Sequence, residues 1–212
     1  MKNKSKGSDA SVWDRIFKKE GRLFTEPFPR FNDLVATYKK YGCTNLLDLG
    51  CGSGRHVVHL TKAGFNVCGM DNSPTALGMA QEWLKEEEQS ASLILADIGD
   101  HFPIKDEVFN GLLSTQVIHH QFRPKVYQTI SEIKRVTADG CVIFITVPAR
   151  KDPEDECVEI EPNTYVPTVG WEKGVPHYLF KLEELGEAFN EYEIMELSLR
   201  GERINALLAV KR

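Results

Sequence analysis

Several things are scarce in this chain, and each scarcity excludes something. No apolar run approaches the roughly 20 residues a membrane-spanning helix needs, and no secretory apolar segment follows Met1. No internal repeat and no long low-complexity segment interrupts the sequence. Positive charge is in deficit: 26 Lys and Arg stand against 31 Asp and Glu, for a formal net charge of −5. A duplex-binding surface runs the other way, so generic nucleic-acid affinity is disfavoured. Paired cysteines are missing too. The five, at 43, 51, 68, 141 and 157, are odd in number and form no C-x-x-C. Free, mostly buried thiols in a reducing cytoplasm fit them best.

What is present fits one globular domain. The chain has 212 residues, 42% hydrophobic and 27% charged, enough for one full core. Residues 1–10, with Lys2, Lys4 and Lys6, read as a mobile solvated tail. Residues 11–20 and 28–41 carry helical faces: Trp13, Ile16 and Phe17 on the first, Phe31, Leu34, Val35 and Tyr38 on the second. These make an N-terminal helical segment over 11–41.

An alternation of strand and helix follows. Asn45–Leu49 reads as a buried strand running into Gly50-Cys51-Gly52-Ser53-Gly54, then a helix stopped by Gly64. Asn66–Met70 is a second strand, ending at Asp71. Ser73 caps and Pro74 opens the next helix, with Leu77, Ala80 and Leu84 inward. Ser92–Ala96 ends at Asp97, and Val108–Ser114 is a fourth strand. Pro124 starts a helix bearing Val126, Ile130, Ile133 and Thr137. Asp139-Gly140 reads as a turn into the apolar strand Cys141–Val147, a composition suited to a strand covered on both faces. Residues 148–180 break the pattern with prolines, acids and aromatics, and read as an irregular insertion or lid on the substrate side. Leu182–Phe189 is helical, and Glu193–Leu199 with Ile204–Val210 forms a hairpin around Arg200-Gly201-Glu202. Five alternating strands predict an α/β, doubly wound, mostly parallel sheet, to which the C-terminal antiparallel hairpin adds two strands for seven. Ligands of such sheets bind beyond the carboxyl ends of the strands.

Leu47-Asp48-Leu49-Gly50-Cys51-Gly52-Ser53-Gly54, with acids at 71 and 97, resembles the first three motifs of the class I S-adenosylmethionine-dependent methyltransferases. It looks closest to the broad type 11 group of small-molecule enzymes. The resemblance covers roughly residues 40–147 and the hairpin end, and implies a Rossmann-like methyltransferase sheet. The residues agree. A dinucleotide fingerprint needs a glycine at the sixth position from Gly50, where this chain has Arg55. A diphosphate also gains nothing from Asp48, whereas a ligand with an ammonium and a sulfonium does.

The resemblance implies roles. Gly50, Cys51, Gly52 and Gly54 would cradle the methionine part, and Asp48 would meet its ammonium directly or through water. Asp71, with Asn72 beside it, would accept from the ribose hydroxyls. Asp97 and Ile98 would hold the adenine, and Gln116 would border the methionine tail. Methyl transfer from a sulfonium needs positioning above all, and a base only where the acceptor must lose a proton. His119, His120 and His177 are the candidates for that base. No metal site is expected: His56 and His59 share a helix face without further ligands. A small-molecule acceptor is the leading expectation. An RNA or protein methyltransferase, a non-catalytic S-adenosylmethionine-binding module and a dinucleotide-dependent oxidoreductase are the rivals. Ser114-Thr115-Gln116-Val117 lacks the Asp/Asn-Pro-Pro-aromatic signature of amino-methylating nucleic-acid and protein-glutamine enzymes.

Overall fold

A computed structural model describes residues 10–150, 156–201 and 203–212. Residues 1–9 of the tail expected at 1–10, and Glu202 of the expected turn, lie outside the described residues, while residue 10 of that tail already belongs to a helix. Two helices come first, α1 (Ala10–Glu20) and α2 (Phe31–Lys40). The second starts three residues later than the apolar pattern suggests, because Arg30, after Pro29, takes a left-handed conformation (φ +70°) that no helix continues. Then follow β1 (Asn45–Leu49), α3 (Arg55–Lys62), β2 (Asn66–Asp71), α4 (Pro74–Glu86), β3 (Ser92–Leu95), β4 (Phe109–Thr115), α5 (Arg123–Val136) and β5 (Thr137–Pro148). Ser73 caps α4 as its sequence requires, its Oγ accepting from the Ala76 N–H at 3.1 Å.

The seven-stranded sheet has the order β3-β2-β1-β4-β5-β10-β9, where β9 is Tyr192–Arg200 and β10 is Ile204–Lys211. β1 to β5 are parallel, and β10 runs antiparallel to both of its neighbours. Successive side chains alternate between two cores. Leu47, Leu112, Ile143 and Ile145 pack on one face with Ile130 and Ile133 of α5. Leu46, Leu113, Val142 and Phe144 pack on the other with α2, α3 and α4. The chain order reverses between β1 and β4, which puts the topological switch point at their carboxyl ends.

Two expectations change. Asp139-Gly140 is not a chain reversal. β5 begins at Thr137, the residue read as the end of the preceding helix, and accommodates the extra residues as an irregularity opposite Phe109–Gly111, with Gly140 at φ +78°. The insertion at 148–180 is not irregular either. Its described part carries β6 (Cys157–Glu161), β7 (Thr164–Pro167) and β8 (His177–Tyr178), a separate three-stranded antiparallel sheet. Turn-rich composition hid these short strands. The helix α6 (Leu182–Ala188) leads back to the main sheet.

A buried ionic knot ties α5 to the β3–β4 connection. Arg135 donates to both carboxylate oxygens of Glu132, at 2.9 and 2.6 Å, and to the carbonyls of Phe102 and Ile104. Glu132 also accepts from the Phe102 N–H at 2.7 Å. The Arg135 guanidinium holds the Glu132 carboxyl down to about 2, from an ordinary value near 4.5. Its stabilisation is complete above pH 4.5 and is lost as pH falls toward 2. Glu132→Gln is therefore expected to lower unfolding free energy at pH 7 by about 1.5–3 kcal/mol, with the gap closing in acid. Urea titrations at pH 7 and pH 3 measure both.

Candidate functional site

The loop leaving β1 makes its turn with three glycines at positive φ: Gly50 (+73°), Gly52 (+53°) and Gly54 (+93°). Gly54 has a second reason to lack a side chain. A Cβ there would stand 2.8 Å from the Cβ of Ala80, so its absence lets α4 pack onto the turn. The fifth-position glycine thus serves the close packing that a dinucleotide fold assigns to its sixth. At Gly50 a Cβ would meet the Val117 side chain, and at Gly52 it would approach the Phe17 ring at 3.2 Å. The turn is accordingly covered by α1 on one side and by the β4 loop on another.

Asp71, at the end of β2, holds this turn in place. One carboxylate oxygen accepts from the Gly52 N–H at 2.8 Å and the other from the Ser73 N–H at 2.9 Å. Asp97 does the same for its own loop, accepting from the Gly99 N–H at 2.8 Å, with the Asn72 amide 3.5 Å from its second oxygen. α1 is pinned across the opening. The Asp14 carboxylate accepts from Ser73 Oγ and the Thr75 N–H, both at 3.0 Å, and pairs with Lys18 at 2.7 Å.

These elements surround a cavity of about 1070 Å³. Gly50, Cys51, Gly52, Asp71, Asn72, Asp97, Ile98 and Gln116 all line it. So do Trp13 and Phe17 of α1, whereas Tyr38 of α2 is core, its hydroxyl donating to the Leu112 carbonyl. Gln116, in a left-handed conformation (φ +57°), carries its Nε2 on this wall buried and without a hydrogen-bond partner.

Asp48 and Gly54 do not line the cavity. Asp48 is 1% exposed and lies behind the turn, on the sheet face opposite Leu47 and Leu49. Its Oδ2 has no partner. Burial pushes its carboxyl up to about 7; Arg55 pulls it back, and Asp71 adds to the rise. The structure therefore places Asp48 one layer behind the position expected of a direct ligand contact.

The far end of the cavity brings together three residues that the sequence separates by up to 58 positions. His119 and His120 follow β4 and His177 opens β8, and the ring centroids lie 3.9, 4.9 and 5.5 Å apart. Glu172, which the sequence reading did not single out, joins them: its carboxylate lies 3.3 Å from His177 Nε2 and 3.9 Å from His120 Nε2. The Trp13 ring lies against this end, 4.9 Å from that of His120, with the half-exposed Trp171 edge-on to it. Burial holds His119 and His120 well below the ordinary imidazole range, so both are neutral near pH 7. His56 packs against Phe31, and His59 bonds the Arg55 carbonyl.

A family described as "Methyltransferase domain" matches residues 47–145. Norajmaline N-methyltransferase of Rauvolfia serpentina is 32% identical over 124 residues, covering 56% of this chain and 41% of that protein. The 18S rRNA (guanine-N(7))-methyltransferase of Schizosaccharomyces pombe is 36% identical over 77 residues, covering 36% of this chain and 28% of that protein. The chain thus spans less than half the length of these relatives. Magnesium protoporphyrin IX methyltransferase of Synechocystis PCC 6803, solved with SAM bound, superposes with a TM-score of 0.68 at 18% identity, over 99% of this chain and 100% of that one.

Asp48 supplies a prediction that depends on pH. A buried carboxyl raised from 3.8 to about 7 penalises folding above its unfolded value: the penalty is absent near pH 3.8, grows through the window to 7 and is complete beyond it. Asp48→Asn is therefore expected to stabilise the ligand-free protein at pH 8, by of order 2–4 kcal/mol, and to change little near pH 4. Thermal melts across that range read the difference.

Proposed function

Since this chain carries a class I S-adenosylmethionine-dependent methyltransferase domain, we propose that it transfers a methyl group from S-adenosylmethionine to a small-molecule acceptor. The observation that carries this reading is the single cavity that runs from the glycine turn and the two strand-end acids to the imidazole and aromatic end. Its volume suits a cofactor and a modest acceptor side by side.

The residues present fit such a cofactor. Gln116 offers a buried amide donor with no partner, suited to a carboxylate. Asp71 and Asp97 each have carboxylate lone pairs beyond those taken by backbone N–H groups, suited to ribose hydroxyls and an adenine amine. Gly50 and Gly52 bring bare backbone to the wall where an amino-acid tail would lie. Asp48, unpaired behind the turn, adds negative potential beneath an ammonium without touching it. When bound, the cofactor supplies a methyl group already activated by its sulfonium.

This chain's residues then have to hold the acceptor, orient it and exclude water. Trp13 and Phe17 on α1, pinned by Asp14, form one wall. We assign the other wall to the β6–β8 sheet, with Tyr165 and His177, as a lid formed by the described part of residues 148–180. His119, His120 and His177, with Glu172 beside them, are the polar groups we assign to the acceptor end, and the three histidines are the candidates for a base. The acidic balance of the chain favours a small acceptor over RNA, despite the rRNA-modifying relative. Buried free thiols at Cys43, Cys51, Cys68 and Cys141 suit a reducing compartment, and we place the protein in the cytoplasm.

Asp71→Asn keeps the residue's shape and removes its charge. Affinity for S-adenosylmethionine is expected to fall roughly 10- to 150-fold, the equivalent of about 1.5–3 kcal/mol for a hydrogen bond to a charged group. Isothermal calorimetry on the wild type and the variant measures it. No binding by the wild type, or equal constants for the two, overturns the reading.

A further inference from the structure

We propose that His119, His120 and His177 form a binding site for a divalent transition metal of the zinc class, with Glu172 as fourth ligand or as the carboxylate that orients the rings. Among the described residues this is the one group of three or more His, Cys, Asp or Glu side chains that could hold an ion, each offering a ligand atom within 4.8 Å of the others. It departs from the expectation that the chain binds no metal.

Five observations carry it. The set is the donor set of a catalytic zinc site: three imidazoles and a position left for something else. Nitrogens at 2.0–2.1 Å from a tetrahedral ion stand about 3.4 Å apart, so small rotations of rings already within 4.8 Å suffice. Nδ1 of His119 is buried without a hydrogen-bond partner, which costs free energy that a bound ligand or ion would recover. Glu172 bridges His120 and His177, the carboxylate–histidine arrangement that fixes a ligating tautomer. Finally, the site is partly dry: the side chains of His120 and His177 are 11% and 14% exposed, and the Trp13 ring lies beside His120. The low proton affinity of His119 and His120 agrees, since a metal needs the lone pair a proton would occupy.

The site's use in turnover rests on the methyl-transfer reading; its existence does not. An ion here stands at the acceptor end and binds an acceptor through a hydroxyl or thiol. Coordination lowers that group's pKa and its proton leaves to solvent or Glu172. The oxygen or sulfur then forms the new bond to the methyl carbon as the carbon–sulfonium bond breaks, and the electron pair of the broken bond stays on the departing thioether sulfur.

The test uses untagged full-length protein, stripped with chelator and titrated with Co²⁺ and then Zn²⁺. Calorimetry with S-adenosylhomocysteine runs in parallel on every sample. We expect one equivalent of Co²⁺ with the visible absorption of a low-coordinate histidine site, displaced by Zn²⁺. Since losing even an orienting partner weakens metal binding about 10- to 100-fold, His120→Ala and His177→Ala should each weaken it by at least ~10-fold while S-adenosylhomocysteine still binds. Absence of stoichiometric uptake by the wild type overturns the site. So does unchanged affinity in both variants, which would mark an adventitious ion. Metal uptake that depends on the histidines in a protein that ignores S-adenosylhomocysteine upholds the site and overturns the methyl-transfer reading alone.

Discussion

One carboxylate holds two loops of this fold in register. Asp71 ends β2 and accepts from the Gly52 N–H with one oxygen and the Ser73 N–H with the other. The turn after β1 and the entry to α4 are therefore fixed to the same side chain. Because α4 is fixed there, it can press on Gly54 through Ala80, and the turn has no room for a side chain at that point. Because Ser73 is fixed, its hydroxyl and the Thr75 N–H meet Asp14, and α1 is held over the opening. The cavity is what remains between a backbone that cannot move outward and a helix that cannot lift freely. Asp71 is buried and pushed toward protonation by that burial, while the two backbone donors pull it back. A charge kept in such a place is costly unless it is bonded, which is why both of its oxygens are engaged.

The parallel sheet was legible because its strands are apolar on both faces and each ends in Asp, Gly or a polar turn. Leu46 and Leu47 bury into opposite cores, and no sequence rule beyond alternation is needed to see it. The acids at 71 and 97, with Gly50 and Gly52, were likewise legible as cavity residues. What stayed hidden depended on distance in three dimensions. Asp48 has the composition of a ligand contact, yet its side chain lies behind the turn, on the sheet face opposite Leu47 and Leu49. Local sequence carries no signal for that choice. The β6–β8 sheet was hidden by its strands of five, four and two residues, too short for a period to register.

The histidines show the same limit from the other side. Each was a candidate on its own, from its place at a strand end or in the insertion. That all three share one end of one cavity is a property of the topology, which folds β8 back over the loop after β4 through the Tyr178 N–H bonded to the His119 carbonyl at 2.8 Å. Glu172 had no signal at all, being one acid among many in a polar stretch. Trp13 sits on a helix face that reads first as core, and Asp14, one residue on, makes the contact that holds that face over the cavity.

The central claim is that one cavity holds the cofactor at the glycine turn and presents an acceptor to the imidazole end. A co-crystal structure with S-adenosylhomocysteine tests it most directly, because the thioether sulfur marks where the departing methyl was attached. The account predicts ribose hydroxyls on Asp71, the amino-acid tail along Gly50–Gly52 with its carboxylate near Gln116, and the sulfur facing His119, His120 and His177. A ligand bound elsewhere, or one whose sulfur faces away from the histidines, would contradict it.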